Sequence, residues 1–240
     1  MKKILVLEDE KSIRDFIVFN FKKAGYEVFE AGTGFEALSV FDENEGISLA
    51  ILDIMLPDID GFEVCRKLRE KNKTMGIVML SAKDLDEDVL SGFVSGADDY
   101  VKKPISPSVL VAKIDALYRR IGSATAATPT QTNIPTELIE YNKSPFSIDQ
   151  KRHIAMKNSK ILDLTPVEFN ILKFFLEHPN VLISREEILQ AVWGYNFNGD
   201  DDIVNVNIRR LRVKIEDVPK KPKYIQTEWG YGYRWVNATD

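Results

Sequence analysis

An α/β, doubly wound (βα)5 domain followed by a smaller helical domain with antiparallel strands is the architecture predicted by this 240-residue sequence. Three observations predict it. Over residues 1–121, short runs of aliphatic and β-branched residues alternate with longer amphipathic ones. Residues 122–135, "GSATAATPTQTNIP", carry no hydrophobic period. Residues 136–240 open on short strand-like pieces, pass through three helical patterns and close on an alternating hairpin. Wholly apolar strands alternating with helices imply a parallel sheet covered on both faces.

The elements follow from local pattern. In the first half the spacing predicts strands at Ile4–Leu7, Glu27–Ala31, Leu49–Leu52, Ile77–Ser81 and Asp99–Val101. Helices are predicted between and after them at Ser12–Lys23, Gly34–Glu43, Gly61–Lys71, Asp86–Ser95 and Ser106–Ile121. The small, polar, proline-containing stretch 122–135 reads as a linker with a reach on the order of 20 Å. Strand-like pieces "ELIEYN", "FSIDQ", "HIAMKN" and "KILDL" then predict an antiparallel sheet. Thr165, Pro166 and Glu168 form a helix start with a capping box before the apolar stripe Phe169, Leu172 and Leu176, and Ser184 with Glu187 repeat the box before "ILQAVWG". A third helix lies in "GDDDIVNVNIRRLRVKI", where Asp200 and Asp201 suit the cap and the positive end of the helix dipole. The final hairpin, "YIQTEWGYGYRW", turns at Gly230–Gly232. Three helices and a terminal hairpin outline a winged helix-turn-helix.

Composition narrows the function classes. No apolar run reaches the roughly 18 residues that span a bilayer, and the charges of "ILVLEDE" arrive too early for a signal peptide. A cytoplasmic protein with no membrane partner is expected. The single cysteine, Cys65, lies among apolar neighbours at helical spacing and reads as a small buried hydrophobe; His153 and His178 have no nearby partner for zinc. The net charge of −5 sits in the first half, where 17 basic residues face 22 acidic ones over 1–133, whereas 134–240 balance at 15 each. Arg209 to Arg234 holds eight basic residues against three acids, a patch fit for phosphates.

Chemistry-bearing residues gather at predicted strand ends: Glu8 and Asp9 after the first, Asp53 after the third, Ser81 at the fourth, Lys103 after the fifth. In a doubly wound sheet these ends share one rim, where ligands bind. Three crowded carboxylates repel unless a cation joins them, and a hard oxygen cluster suits Mg2+. Asp53 is then placed to accept a phosphoryl group, with Lys103 and Ser81 beside it.

These residues carry a resemblance. Residues 1–121 resemble the flavodoxin-like receiver domain of two-component response regulators, through "LEDE", "LDIMLPDIDGFE", "MLSAK" and "GADDYVKKP". The resemblance implies that Asp9, Asp53 and the Met55 carbonyl ligate Mg2+ with Glu8 helping through water. It further implies that Asp53 is phosphorylated by a sensor histidine kinase and that Lys103, rather than Lys102, contacts the phosphoryl group. Ser81 and Tyr100 become a switch pair, and Lys103-Pro104 a cis peptide. The second half resembles the winged helix-turn-helix effector of the OmpR/PhoB subfamily, through "LTPVEFNILKFFLEHPN", "SREEILQAVWG", "VNVNIRRLRVKIE" and "YIQTEWGYGYRW". The implied protein is a transcription regulator, not an enzyme, that binds double-stranded DNA at tandem half-sites, dimerises on phosphorylation and meets RNA polymerase.

At 100° per residue, Val204, Ile208, Leu211 and Ile215 share the core face of the third helix, with Asp202, Val206, Arg209 and Val213 opposite. Val206 is expected at a thymine methyl, Asn205 or Arg209 at base edges, and Arg210, Arg212 and Lys214 at phosphates, with Trp229 and Arg234 on the wing. Two positions depart from the subfamily: Asp202 and Trp229 stand where arginine is common. Trp229 either stacks on a sugar or packs under the wing. Subfamily members pair through the fourth helix, fifth strand and fifth helix, which offers Asp98, Asp99, Lys113, Arg119 and Arg120 for charge pairs, while Val89 and Val109 replace one such pair. Two other readings share the fold: a phosphorylation-independent DNA binder, and an aspartate-based phosphohydrolase. The second lacks the customary carboxylate two residues after the nucleophile, where Met55 stands.

Overall fold

Strand formation in the first half follows from residues that are apolar on both faces. Leu5, Ile51 and Val78 are fully buried on three neighbouring strands, as expected of a sheet with helices on each side. In the computed structural model, which describes residues 2–81, 96–125, 138–140, 144–194 and 202–237, the strands are β1 (Lys2–Leu7), β2 (Tyr26–Ala31), β3 (Leu49–Asp53), β4 (Gly76–Ser81) and β5 (Asp99–Lys102). They form one parallel sheet in the order β2-β1-β3-β4-β5. The helices are α1 (Lys11–Lys23), α2 (Gly34–Glu43), α3 (Gly61–Lys71) and α4 (Pro107–Thr125). The strand order reverses beside β1, so the rim above β1 and β3 is the switch point at which a ligand is expected. The predicted helix Asp86–Ser95, with Val89, lies outside the described residues.

α4 corrects one boundary. It continues through Gly122–Thr125, which the sequence assigns to the linker. Ala124 is a good helix former, and a helix already nucleated over four turns extends at little cost, despite Gly122. The chain divides into two compact units, Met1–Arg119 and Arg120–Asp240.

The second unit holds a four-stranded antiparallel sheet of β6 (Leu138–Glu140), β7 (Phe146–Asp149), β8 (Ile154–Lys157) and β9 (Lys160–Ile161). Its helices are α5 (Pro166–Glu177), α6 (Arg185–Trp193) and α7 (Asp202–Ile215). Both predicted capping boxes form, at Thr165 with Glu168 and at Ser184 with Glu187. Phe169, Leu172 and Leu176 pack into one core with Ile183, Val204, Leu211 and Trp235. The hairpin β11 (Ile225–Glu228) and β12 (Gly232–Trp235) is joined by β10 (Leu182–Ser184), a strand not predicted from the sequence. Gly232 permits that pairing, because a Cβ there would stand 2.1 Å from the Ile183 carbonyl oxygen. The start of α7 at Asp202 agrees with the predicted helix; Asp200 and Asp201 lie outside the described residues.

Candidate functional site: an acidic pocket and a DNA-reading face

The pocket is assembled by strand ends. Glu8 follows β1 and is fully buried, Asp53 ends β3 and is buried, and Asp9 beside them is exposed. One carboxylate oxygen from each lies within 4.8 Å of those of the other two. Lys103 reaches in from the end of β5, its Nζ 3.0 Å from Glu8 Oε1 and 2.9 Å from Asp53 Oδ2. Its backbone N–H donates to the Ser81 carbonyl at 2.7 Å, and Lys103-Pro104 is cis. Lys102 is exposed, so Lys103 is the pocket lysine. Ser81 is buried at the end of β4, and Tyr100 on β5 packs half-buried against the core of this domain.

Electrostatics in the pocket oppose one another. Burial, and then the charge of Asp53, push the Glu8 carboxyl above its ordinary range against the pull of Lys103. Burial would lower the Lys103 ammonium, but its hydrogen bonds to Glu8 and Asp53 and their charges raise it instead. One ammonium therefore serves two buried acids while a third, exposed, stands by. That imbalance, in an oxygen-only donor set, fits a divalent cation held by Glu8, Asp9 and Asp53.

The backbone around Asp53 is held from two sides. Gly61 opens α3 so close to the strand that a Cβ would lie 1.9 Å from the Asp53 carbonyl oxygen. The loop between them is tied to α2, since Asp58 accepts from Gly34 N–H at 2.9 Å and Phe35 N–H at 2.8 Å. Arg14 steadies the other acids by donating to the Glu8 carbonyl at 2.5 Å. Met55 follows with an exposed side chain.

The predicted dimer residues divide. Asp98 is a correction: it is fully buried, bonded to Arg69 at 2.8 Å and accepting from Ile77 N–H at 2.9 Å. A carboxylate removed from water needs such partners, so Asp98 is an interior strut and not a member of an exposed charge pair. Asp99 and Lys113 bond each other at 3.0 Å within the chain, both side chains nearly buried. Val109 and Arg119 are exposed, while the Arg120 side chain lies outside what is described.

On α7 the core face is as predicted, with Val204, Ile208, Leu211 and Ile215 buried and Arg209 exposed. Val206 and Arg210 are half-buried. The flanks carry contacts within the fold that helical angle does not announce. Arg212 turns inward, donating to the Ile225 carbonyl at 2.6 Å and to Thr227 Oγ1 at 2.8 Å, with its guanidinium 5.6 Å from the Tyr233 ring. Burial lowers its pKa. Lys214 bonds buried Glu168 at 2.5 Å. Asn205 is spent on scaffold: its amide oxygen accepts from Arg185 at 2.8 Å and from the Tyr233 hydroxyl at 2.7 Å, and its amide nitrogen donates to Asp202 at 2.8 Å. Arg234 pairs with Glu228 at 3.1 Å. The physical reason is reach: a long cation can swing several ångströms toward any buried acceptor, whatever the angle of its Cα.

Sequence reasoning missed Arg185 and Tyr233, which join α6, α7 and the hairpin. A signal existed for Arg185. It is the first residue of α6, where a cation opposes the helix dipole, and such a local violation points to a tertiary partner.

The comparisons with known proteins agree with this geometry. Residues 4–115 match the response regulator receiver domain, and residues 158–235 match the transcriptional regulatory protein C-terminal domain. An uncharacterized transcriptional regulatory protein of Bacillus subtilis strain 168, YclJ, is 41% identical over 235 residues, 97% of this chain and 98% of that protein. Among solved structures, a RitR mutant aligns with a TM-score of 0.71 at 28% identity, over 98% of this chain and 99% of that one. The Thermotoga maritima OmpR/PhoB homolog DrrB aligns with a TM-score of 0.50 at 31% identity, over the same shares. Fold and site thus define a class, a receiver domain joined to a DNA-binding effector that regulates transcription. Within that class the chain belongs to the OmpR/PhoB family of response regulators.

Proposed function

We propose that this transcription regulator is switched by phosphorylation of Asp53. One observation carries the reading: the three carboxylates of Glu8, Asp9 and Asp53 lie within 4.8 Å of one another with Lys103 bonded to two of them. An Asp53 carboxylate oxygen attacks the phosphorus of a phosphohistidine on a sensor kinase. The phosphorus–nitrogen bond breaks, and the electron pair leaves with the imidazole, which takes a proton from solvent. Lys103 holds the phosphoryl oxygens; Asp9, Asp53 and the Met55 carbonyl, with Glu8 through water, would hold Mg2+, which when bound would neutralise the charge gathered at the pocket. Ser81 then moves toward the phosphoryl group and Tyr100 follows, reshaping the face where two chains pair. The resulting homodimer binds two half-sites about one helical turn apart and meets RNA polymerase there. With Met55 in place of a second carboxylate, the acyl phosphate serves as a state of the protein and not as a turnover intermediate.

Incubation with a small phosphodonor and Mg2+, followed by electrophoresis that retards phosphoproteins, is expected to show one modified species in wild type and none in Asp53→Ala. An equal shift in Asp53→Ala overturns the assignment. Equal affinity for DNA with and without phosphodonor would instead favour constitutive binding.

A further inference from the structure

The tip of the terminal hairpin carries no positive charge. Between β11 and β12 the chain reads Glu228-Trp229-Gly230-Tyr231-Gly232, and the adjacent cation, Arg234, is paired with Glu228 at 3.1 Å. What the tip presents is aromatic: Trp229 is 87% exposed and Tyr231 72%. The turn between them is tight, with Gly230 at φ +81 and Tyr231 N–H donating to the Glu228 carbonyl at 3.0 Å.

This tip is mounted on the DNA-reading helix. Arg212 of α7 bonds both Ile225 and Thr227 of β11, the Tyr233 hydroxyl of β12 bonds Asn205, and buried Glu216, next after α7, accepts from the N–H groups of Tyr224 at 2.9 Å and Ile225 at 3.0 Å. A contact made by the tip is therefore continuous with the face of α7 that meets DNA. Two large rings held in water on a braced turn are costly unless a surface covers them. With the wing's acid and base cancelling, a phosphate is not what they fit. The apolar C–H edge of deoxyribose is.

We propose that Trp229, seconded by Tyr231, docks the wing by laying its ring against the deoxyribose edge of the duplex, so that the wing contributes affinity without phosphate contacts. The proposal rests on the DNA-binding reading and specifies how its wing takes part. It has a signature. Charge-based contacts release counterions and steepen the salt dependence of binding, whereas a stacked ring leaves the slope unchanged.

The chain reports on this residue selectively, because Trp193 and Trp235 are 4% and 0% exposed. Acrylamide-accessible tryptophan emission from the full-length protein therefore comes from Trp229. The probe is a duplex selected from random DNA with phosphodonor-treated protein. Adding it is expected to abolish most of the accessible emission. Trp229→Ala should weaken binding about tenfold with an unchanged log–log salt slope, and Trp229→Arg should steepen that slope by about 0.9. Since the ring is exposed, neither change threatens folding, which the unfolding midpoint checks. A stable complex in which Trp229 stays accessible, or in which Trp229→Ala binds as wild type, overturns the proposal and leaves DNA binding intact. Failure of wild type to bind any duplex overturns both. Protection of Trp229 without DNA, accompanied by a doubled mass in sedimentation, assigns the tip to pairing of two copies and also overturns it.

Discussion

The two domains spend their charges differently. In the receiver pocket, Glu8 and Asp53 share one lysine with Asp9 beside them, which leaves acidic capacity in excess. On the effector, most of the cations and amides that helical angle assigns to DNA are committed within the fold: Arg212 to the hairpin, Lys214 to Glu168, Asn205 to Arg185 and Tyr233. Crowded carboxylates beside a single lysine favour a further cation. A cation already bonded to a buried carbonyl or carboxylate has its partner. The comparison teaches that a polar residue on the right helix is a candidate reader only if no nearer acceptor claims it.

The largest expected effect breaks the pocket from behind. Gly61→Ala sets a Cβ 1.9 Å from the Asp53 carbonyl oxygen, and backbone on both sides must shift, at a cost of about 3 kcal/mol in receiver stability. Chemical denaturation should show the receiver transition moved and the effector transition in place. Phosphorylation of Asp53 should slow along with it. A variant that unfolds and phosphorylates as wild type would mean that the pocket tolerates a displaced Asp53.

Arg212 and Arg209 sharpen the contrast within one helix. Arg212→Ala leaves the Ile225 carbonyl and Thr227 without their donor, so it should cost the effector about 2 kcal/mol while changing the salt slope of DNA binding by well under one unit. Arg209, one turn earlier, is exposed on the side away from the core. Arg209→Ala should cost under about 0.5 kcal/mol of stability and flatten the slope by about 0.9 if it meets a phosphate. Thermal melts and salt titrations on both variants decide it. Swapped phenotypes would return Arg212 to the DNA.

This contrast also explains what was legible beforehand. Glu8, Asp53 and Lys103 were readable because the topology of a doubly wound sheet brings strand ends together whatever their side chains do, and a strand end is visible in sequence as the close of an apolar run. Helix bounds such as Gly34–Glu43 and Gly61–Lys71 agree because Thr33 and Asp60 cap them. The strand Leu182–Ser184 was hidden, since three residues are too few to show a period and only pairing with β12 makes them extended. Asp98 misled for a related reason: its partner Arg69 is 29 residues away, and no local pattern announces a buried ion pair. Trp229 could be narrowed to two placements by sequence, and its exposure settles against packing under the wing.

Asp202 gives a smaller effect. Its carboxylate accepts from Asn205 at 2.8 Å in the first turn of α7, where an acid also favours the helix dipole. Asp202→Arg should therefore cost up to about 1 kcal/mol of effector stability and steepen the salt slope of DNA binding by about 0.9. A salt slope equal to wild type would place position 202 away from the duplex and leave Asp202 purely an anchor for Asn205.

The smallest expected effect sets the domains apart by pH. His153, in the turn before β8, stacks against Phe169 with ring centroids 4.6 Å apart. Burial, and then the charge of Lys173, lower its pKa below the ordinary 6.5. Its contribution is present above pH 6.5 and is lost as pH falls toward the folded value, because the unfolded chain takes up a proton that the folded one resists. Glu8 has the opposite sense. Its pKa is raised, by burial first, so its protonated form suits the folded receiver, and acid relieves a repulsion there. Between pH 7 and 5 the effector melting temperature should fall while the receiver's does not fall with it. His153→Asn, which keeps a residue tolerant of the local φ of 50, should flatten the effector's decline. An undiminished decline in that variant would assign the acid sensitivity to a group other than His153.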